Sequence, residues 1–332
     1  MAIYDISFPS ANKRDTVMAN YYTPLQEPIG IIQVIHGFLE HHRRYSRMIQ
    51  HFVDAGYVVI ATDHIGHGLT AKNNNTFGNV GKGGYEAVIQ DEITLYQLAR
   101  KQFGKELPYF IFGHSWGSLI ARCLTEKLHN MLEEDISGVV LCGTVVPFLK
   151  NDSMIEQFRE KVENGEGGMC DDTLAAQVFK LLLARVEKVV HGNEWIAIDE
   201  GVIQDHVRDP LNITGSLTCE TVYNFLALNE CVNAPSFYEK FPKHVPVLQV
   251  AGDQDPVGLY GEGVYRVANG LRNAGMKDVT TIMFPSYRHE VHNEPKLRDA
   301  IIEHCLSFYV HFKRFVESGL TKIITLFIVY KV

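Results

Sequence analysis

Positive charge is in short supply in this chain: 31 lysines and arginines face 39 aspartates and glutamates, a formal net charge of −8. A nucleic-acid partner calls for a basic surface, so that class is excluded. The one local basic cluster, Arg43, Arg44 and Arg47, reads as a solvated helix face. Cysteine pairing is scarce too. The six cysteines (Cys123, Cys142, Cys170, Cys219, Cys231 and Cys305) are widely spread and form no Cys-x-x-Cys pair. Cys123 and Cys142 lie in apolar patterns and read as buried thiols. There is no N-terminal apolar signal segment, and a cytoplasmic location is expected. No internal repeat or low-complexity segment is present. The apolar run Ile323–Tyr330, eight residues long, is too short to cross a bilayer. It has the composition of a strand or an aggregation-prone segment. It reads as a packing or dimer element, which would make a homo-oligomer, and leaves any membrane contact transient and at the surface.

What the chain does contain is a sharp turn with a serine at its apex. Pro108-Tyr109-Phe110-Ile111-Phe112 is an apolar run, and Ser118 to Leu124 is helical in pattern. Between them stand Gly113-His114-Ser115-Trp116-Gly117, a serine flanked two residues either way by glycine. At a strand-to-helix turn this is the pattern of a nucleophile elbow. The serine takes a strained backbone conformation there, and glycine removes collisions that side chains two positions away would cause. Taken alone the pattern also fits a glycine-rich turn in which Ser115 caps a helix.

A base and an acid follow in order. Pro246 to Gly252 reads as a buried strand opening into Asp253-Gln254-Asp255-Pro256-Val257, a turn with two carboxylates. Either aspartate could be a turn former. Val279 to Pro285 is a β-branched strand followed by Ser286-Tyr287-Arg288-His289-Glu290. Serine, acid, histidine is the chain order of α/β-hydrolases, and loops after parallel strands gather at one sheet edge. His289 is favoured over His292 because it sits nearer the strand end. His289-Glu290-Val291-His292 lacks the His-Glu-x-x-His spacing of a zinc helix, so no metal is expected. Ile31 to Ile35 is a strand ending in His36-Gly37-Phe38. The Phe38 and Trp116 amides are the candidate oxyanion hole, with Gly37 allowing the bend and His36 and His114 supporting the two loops.

His36-Gly37-Phe38-Leu39-Glu40-His41-His42-Arg43-Arg44-Tyr45 resembles the His-Gly-x-x-Glu-His…Arg-Tyr segment of monoacylglycerol lipases and related lysophospholipases, within the α/β-hydrolase superfamily. Asp63-His64-Ile65-Gly66-His67-Gly68-Leu69-Thr70 resembles their next loop, with Thr70 where serine is usual. The segments around Ser115, Asp255 and His289 match as well, including Asn293-Glu294, and Ser118 stands where a second glycine is frequent. The resemblance covers roughly residues 1–315, less closely between 150 and 240. It implies the acid is Asp255, since the family pattern is glycine, two residues, aspartate, and leaves Asp253 to close the turn.

Strands are expected at Ile3–Phe8, Val17–Tyr22, Ile31–Ile35, Tyr57–Ala61, Tyr109–Phe112, Gly138–Cys142, Val247–Ala251 and Thr280–Phe284. The first two form a hairpin; most of the others are separated by helix-length segments such as Tyr85–Lys101. The expected fold is an α/β-hydrolase: a mostly parallel central sheet with helices on both faces and a helical cap insertion. Residues 1–145 and 242–315 would form the core, 146–241 the cap or lid, and 316–332 a tail. Helices are expected in the cap at Asp152–Glu163, Thr173–Lys188 and Ser216–Leu228, and near the end at Lys296–Phe315. Phe148, Phe179, Leu182 and Phe225 are candidates for an acyl pocket, though their spacing also fits plain core packing. The expected activity is serine ester hydrolysis, of monoacylglycerol or lysophospholipid type, with a small-molecule or lipid ester as partner and no cofactor. An aminopeptidase or amidase on the same scaffold would need cap carboxylates, for which Glu194, Asp199 and Glu200 are available as otherwise solvated helix residues. A non-catalytic binding protein is disfavoured because all three triad positions are filled.

Overall fold

Strand periodicity builds two cores on one sheet. The computed structural model describes residues 1–134, 136–148 and 153–318. Its sheet has eight strands: β1 (Ala2–Pro9), β2 (Thr16–Thr23), β3 (Gly30–Ile35), β4 (Tyr57–Asp63), β5 (Tyr109–His114), β6 (Gly138–Cys142), β7 (Val247–Gly252) and β8 (Val279–Phe284). Their order is β1-β2-β4-β3-β5-β6-β7-β8. The hairpin β1–β2 adds antiparallel to β4, and every pairing from β4 to β8 is parallel. Successive side chains of a strand point to opposite faces. Accordingly Tyr109 and Ile111 of β5 enter one core, while Phe110 and Phe112 enter the other.

Helices α1 (Ser46–Asp54), α2 (Gly68–Asn74), α3 (Gly84–Phe103) and α4 (Trp116–Leu132) connect the strands up to β6. Between β6 and β7 run α5 (Ser153–Glu163), α6 (Asp172–Leu182), α7 (Glu200–Arg208), α8 (Cys219–Asn233) and α9 (Pro235–Lys240); α10 (Glu262–Asn273) and α11 (Arg298–Ser318) follow. Apolar residues of α5, α6 and α8 share the core that lies under α3 and α4. The expected helix Thr173–Lys188 is too long: α6 stops at Leu182. It begins on the Asp171 side chain, which accepts from Leu174 N–H. The third cap helix likewise starts later than expected, where the Thr218 side chain accepts from Thr221 N–H. The tail segment Ile323–Tyr330 lies outside the described residues.

All six parallel strands end at one edge, and the loops at that edge carry Phe38, Ser115, Asp255 and His289.

Candidate active site

The turn from β5 to α4 holds Ser115 at φ 54° and ψ −121°, a conformation costly for a residue with a Cβ. Its amide is fixed by Cys142 O at 2.9 Å. A Cβ on Gly113 would lie 2.2 Å from Gly117 O, and one on Gly117 would lie 2.2 Å from Ile35 O. Only glycine fits either position. Ser115 is the N-cap of α4 but makes no capping bond, so its hydroxyl is not spent on the helix. Trp116 is the first helical residue, where amides lack partners within the helix.

His289 and Asp255 meet beside this turn. His289 Nδ1 is 2.8 Å from Asp255 Oδ2, and both side chains are buried. The other Asp255 oxygen accepts from Val257 N–H at 3.0 Å. Asp253 does something else: its Oδ1 accepts from Ser286 N–H at 2.7 Å and joins the two loops. Burial acts to lower the His289 pKa, but the adjacent Asp255 carboxylate overrides it and the net shift is upward. The second ring nitrogen, Nε2, is buried with no hydrogen-bond partner among the described residues. The His289 ring centroid lies 4.7 Å from that of His114, the residue before Ser115. A Cβ on Gly37 would lie 3.0 Å from the Ser115 Cβ, which puts the β3 loop at the same spot.

Beneath these loops is a network of buried polar groups. Glu40 Oε1 accepts from Gly37 N–H at 2.8 Å and from Tyr45 Oη at 2.5 Å, and lies 3.0 Å from His114 Nδ1. Arg44 bridges Glu40 and Glu290, reaching each carboxylate at 2.7 Å. Arg44 is therefore not on a solvated face: its side chain is 3% exposed and ties the β3 loop to the His289 loop. Arg47 does stay at the surface, paired with Asp299. Sequence spacing could not find this link, because Glu290 lies far along the chain. Burial works to raise the Glu290 pKa, and the Arg44 guanidinium brings it down to about 2. The Asp63 loop has its own logic. A Cβ on Gly68 would lie 2.4 Å from the Asp63 carboxylate, and Thr70 Oγ1 donates to Asp63 O at 2.6 Å. A threonine hydroxyl serves there as well as a serine hydroxyl would. Rings of His36, His64 and His67 stack beside Phe38 and Trp116, with His36 and His64 4.0 Å apart. Burial depresses the His36 pKa and takes that of His67 to about 4, so the His36 and His67 rings are neutral at physiological pH.

Residues of the α5–α9 segment reach this edge. Phe225 stacks on Phe38 at 4.9 Å, and Phe148 lies 6.4 Å from Phe225. Leu182 lines a cavity of about 160 Å³ together with Trp195, Tyr260 and Arg288. Phe179 packs, half-buried, against the same core. Trp195, whose ring is 5.1 Å from His289, was not singled out from the sequence; a lone tryptophan in a polar loop was its only signal. The three carboxylates weighed for an ammonium ligand are engaged. Glu194 is buried rather than solvated and accepts from the amides of Val190, His191 and Gly192. Asp199 caps α7 through Val202 N–H, and Glu200 lies beside His191 and Gln204.

A protein family described as serine aminopeptidase, S33, matches residues 26–296. The chain belongs to this family. With the fold above, it is an α/β-hydrolase resembling monoacylglycerol lipases. The crystal structure of a thermostable carboxyl esterase from Bacillus coagulans in complex with glycerol is 38% identical, with a TM-score of 0.89 over 94% of this chain and 99% of that one. The monoacylglycerol lipase of Mycolicibacterium smegmatis is 25% identical over 284 residues, 84% of this chain and 88% of the relative. A larger abhydrolase domain-containing protein of Dictyostelium discoideum matches at 25% identity over 54% of this chain, which spans 18% of that protein.

Proposed function

We propose that this α/β-hydrolase cleaves carboxylic esters of monoacylglycerol or lysophospholipid type through an acyl-enzyme on Ser115. The carboxylic-ester class accords with the carboxyl esterase and lipase relatives. The observation that carries the mechanism is His289: one nitrogen held by buried Asp255, the other buried, unpartnered and beside the elbow. Ser115 Oγ attacks the ester carbonyl while His289 Nε2 takes its proton, and Asp255 keeps the proton on Nδ1. The Phe38 and Trp116 amides stabilise the oxyanion in a site already shielded from water. His289 returns the proton to the leaving alcohol, then activates a water that releases the acid.

In this reading residues 146–241 are a lid on a core of 1–145 and 242–315. Ser115 is 7% exposed, which accords with a covered site. Phe148, Phe179, Leu182 and Phe225 would line the acyl pocket. Each further methylene buried there is worth about 0.8 kcal/mol, or roughly fourfold in binding. kcat/KM should therefore rise with acyl length over several carbons and then fall. An aminopeptidase role needs a free carboxylate for the substrate ammonium, and Glu194, Asp199 and Glu200 all have other work. Comparing p-nitrophenyl acyl esters with aminoacyl anilides tests the assignment. Faster anilide cleavage would overturn it, and failure of a fluorophosphonate probe to label Ser115 would favour a non-catalytic role.

A further inference from the structure

Arg122 projects from α4, one helix turn beyond Ser118, and is wholly shielded from solvent. Among the described residues no carboxylate pairs with it. It donates to neutral oxygens, Ser118 O at 3.2 Å, Val145 O at 2.8 Å, Val232 O at 3.4 Å and Asn233 Oδ1 at 3.0 Å, and the neutral Tyr238 hydroxyl also interacts with it. Burial lowers its pKa to about 10, so it remains a cation at neutral pH. A buried charge with no counter-ion is expensive unless every donor is used. Here the donors are spent on three separate pieces of chain.

Those pieces are the nucleophile helix, the point where the chain leaves β6, and the C-terminal end of α8. The β6 exit is held from every side. Val145 N–H donates to Ser118 Oγ at 3.2 Å, Val146 N–H to Val257 O at 3.1 Å, and Asn229 Nδ2 donates to Val146 O at 2.9 Å. The serine that stands where a second glycine is frequent therefore has a hydrogen-bonding task at this junction. Val232 lies about two turns beyond Phe225, on the same face of α8. Fixing the Val232 carbonyl against α4 fixes where Phe225 meets Phe38.

We propose that Arg122, with the Ser118 hydroxyl, is a positioning residue for acyl-chain selection, locking the Phe225 face of α8 to the nucleophile helix. The inference rests on the acyl-pocket reading above. It makes α8 a fixed wall of the pocket.

The test compares wild type, Arg122→Met, Arg122→Lys, Ser118→Gly and Asn233→Ala across p-nitrophenyl esters from acetyl to long acyl chains. In Arg122→Met, long-chain kcat/KM should fall about tenfold or more through KM, and the optimum should move. Acetyl ester turnover and fluorophosphonate labelling should stay within about twofold, since the triad is untouched. Arg122→Lys should recover part of the long-chain preference because an ammonium can satisfy some of the carbonyls. Should Arg122→Met fail to fold, Asn233→Ala and Ser118→Gly carry the test, with smaller shifts in the same direction. Equal losses on short and long esters in folded variants would overturn the inference, as would an unmoved optimum. A wild-type profile that is flat with acyl length would instead overturn the acyl-pocket reading, and this inference with it.

Discussion

At the residue scale, two neighbouring aspartates have different work. Asp255 is wholly buried on His289, whereas Asp253 binds a backbone amide of the next loop. Ser115→Ala, His289→Ala and Asp255→Asn should each cut ester hydrolysis by about 10³-fold or more, because such groups act as a unit. Asp253→Asn should stay within about tenfold, since an amide oxygen can still accept from Ser286 N–H. A crippling Asp253→Asn beside a harmless Asp255→Asn would reverse the assignment. The pH profile gives a second check. The His289 pKa lies above the ordinary 6.5, with burial lowering it and Asp255 raising it further. The base is active when neutral, so kcat/KM should fall with acid through a limb above pH 6.5. Asp255→Asn removes the largest raising cause, leaving burial opposed only by Glu290 and Glu40, so the limb of its residual activity should move to lower pH. The glycines and the serine were legible in sequence because they obey local rules of turn geometry, and His289 because it follows a strand end, whereas the choice of Asp255 over Asp253 came from the resemblance. Arg44 was misread because its meaning lies in carboxylates on two different loops, which no local pattern records.

At the element scale, the strands were legible because alternation of side chains between two cores forces their pattern. Helix ends were less so: apolar spacing continues past Leu182, but the chain turns away there and α6 stops. What joins the elements was invisible, and the Glu40–Arg44–Glu290 bridge is the case in point. It couples the loop after β3 to the loop after β8. Arg44→Met should leave two buried carboxylates facing each other without their cation, costing about 3–5 kcal/mol. In a chain of this size that is a fall in Tm of about 4–7 °C. The pH dependence has a definite sign. Glu290 titrates at about 2 in the fold against an ordinary 4.5, and the Glu40 carboxyl is also held low. Their stabilisation is present above the ordinary value and is lost as pH falls from 4.5 towards 2. The Tm gap between wild type and Arg44→Met should therefore narrow on acidification through that window. A gap that stays constant from pH 7 to pH 3 would show that the bridge does not carry the stability assigned to it.

At the scale of the whole molecule, the candidate chemistry and the packing of α11 lie at opposite ends of the parallel strands. The proposed triad sits where the parallel strands finish. Helix α11 leaves that edge and runs back to the strand starts: Tyr309 packs on Tyr57 at the head of β4 and on Phe110 near the head of β5, at 5.9 and 4.7 Å. Phe308 lies against Gly138, the first residue of β6, where a Cβ would come within 2.8 Å of the ring. The described part of α11 is therefore anchored at the strand starts, away from Ser115. No helix among the described residues is long and apolar enough to cross a membrane. A chain cut after Ser318 should keep the fold, since Tyr309 and its partners remain, and should keep ester kcat/KM within about twofold. Circular dichroism and the acyl ester assay measure both. Gel filtration at several concentrations then reads what the apolar segment Ile323–Tyr330 does. A smaller assembly or higher solubility in the shortened chain would identify it as a contact between copies. A shortened protein that stays folded but no longer hydrolyses esters would overturn the expectation that the tail takes no part in catalysis.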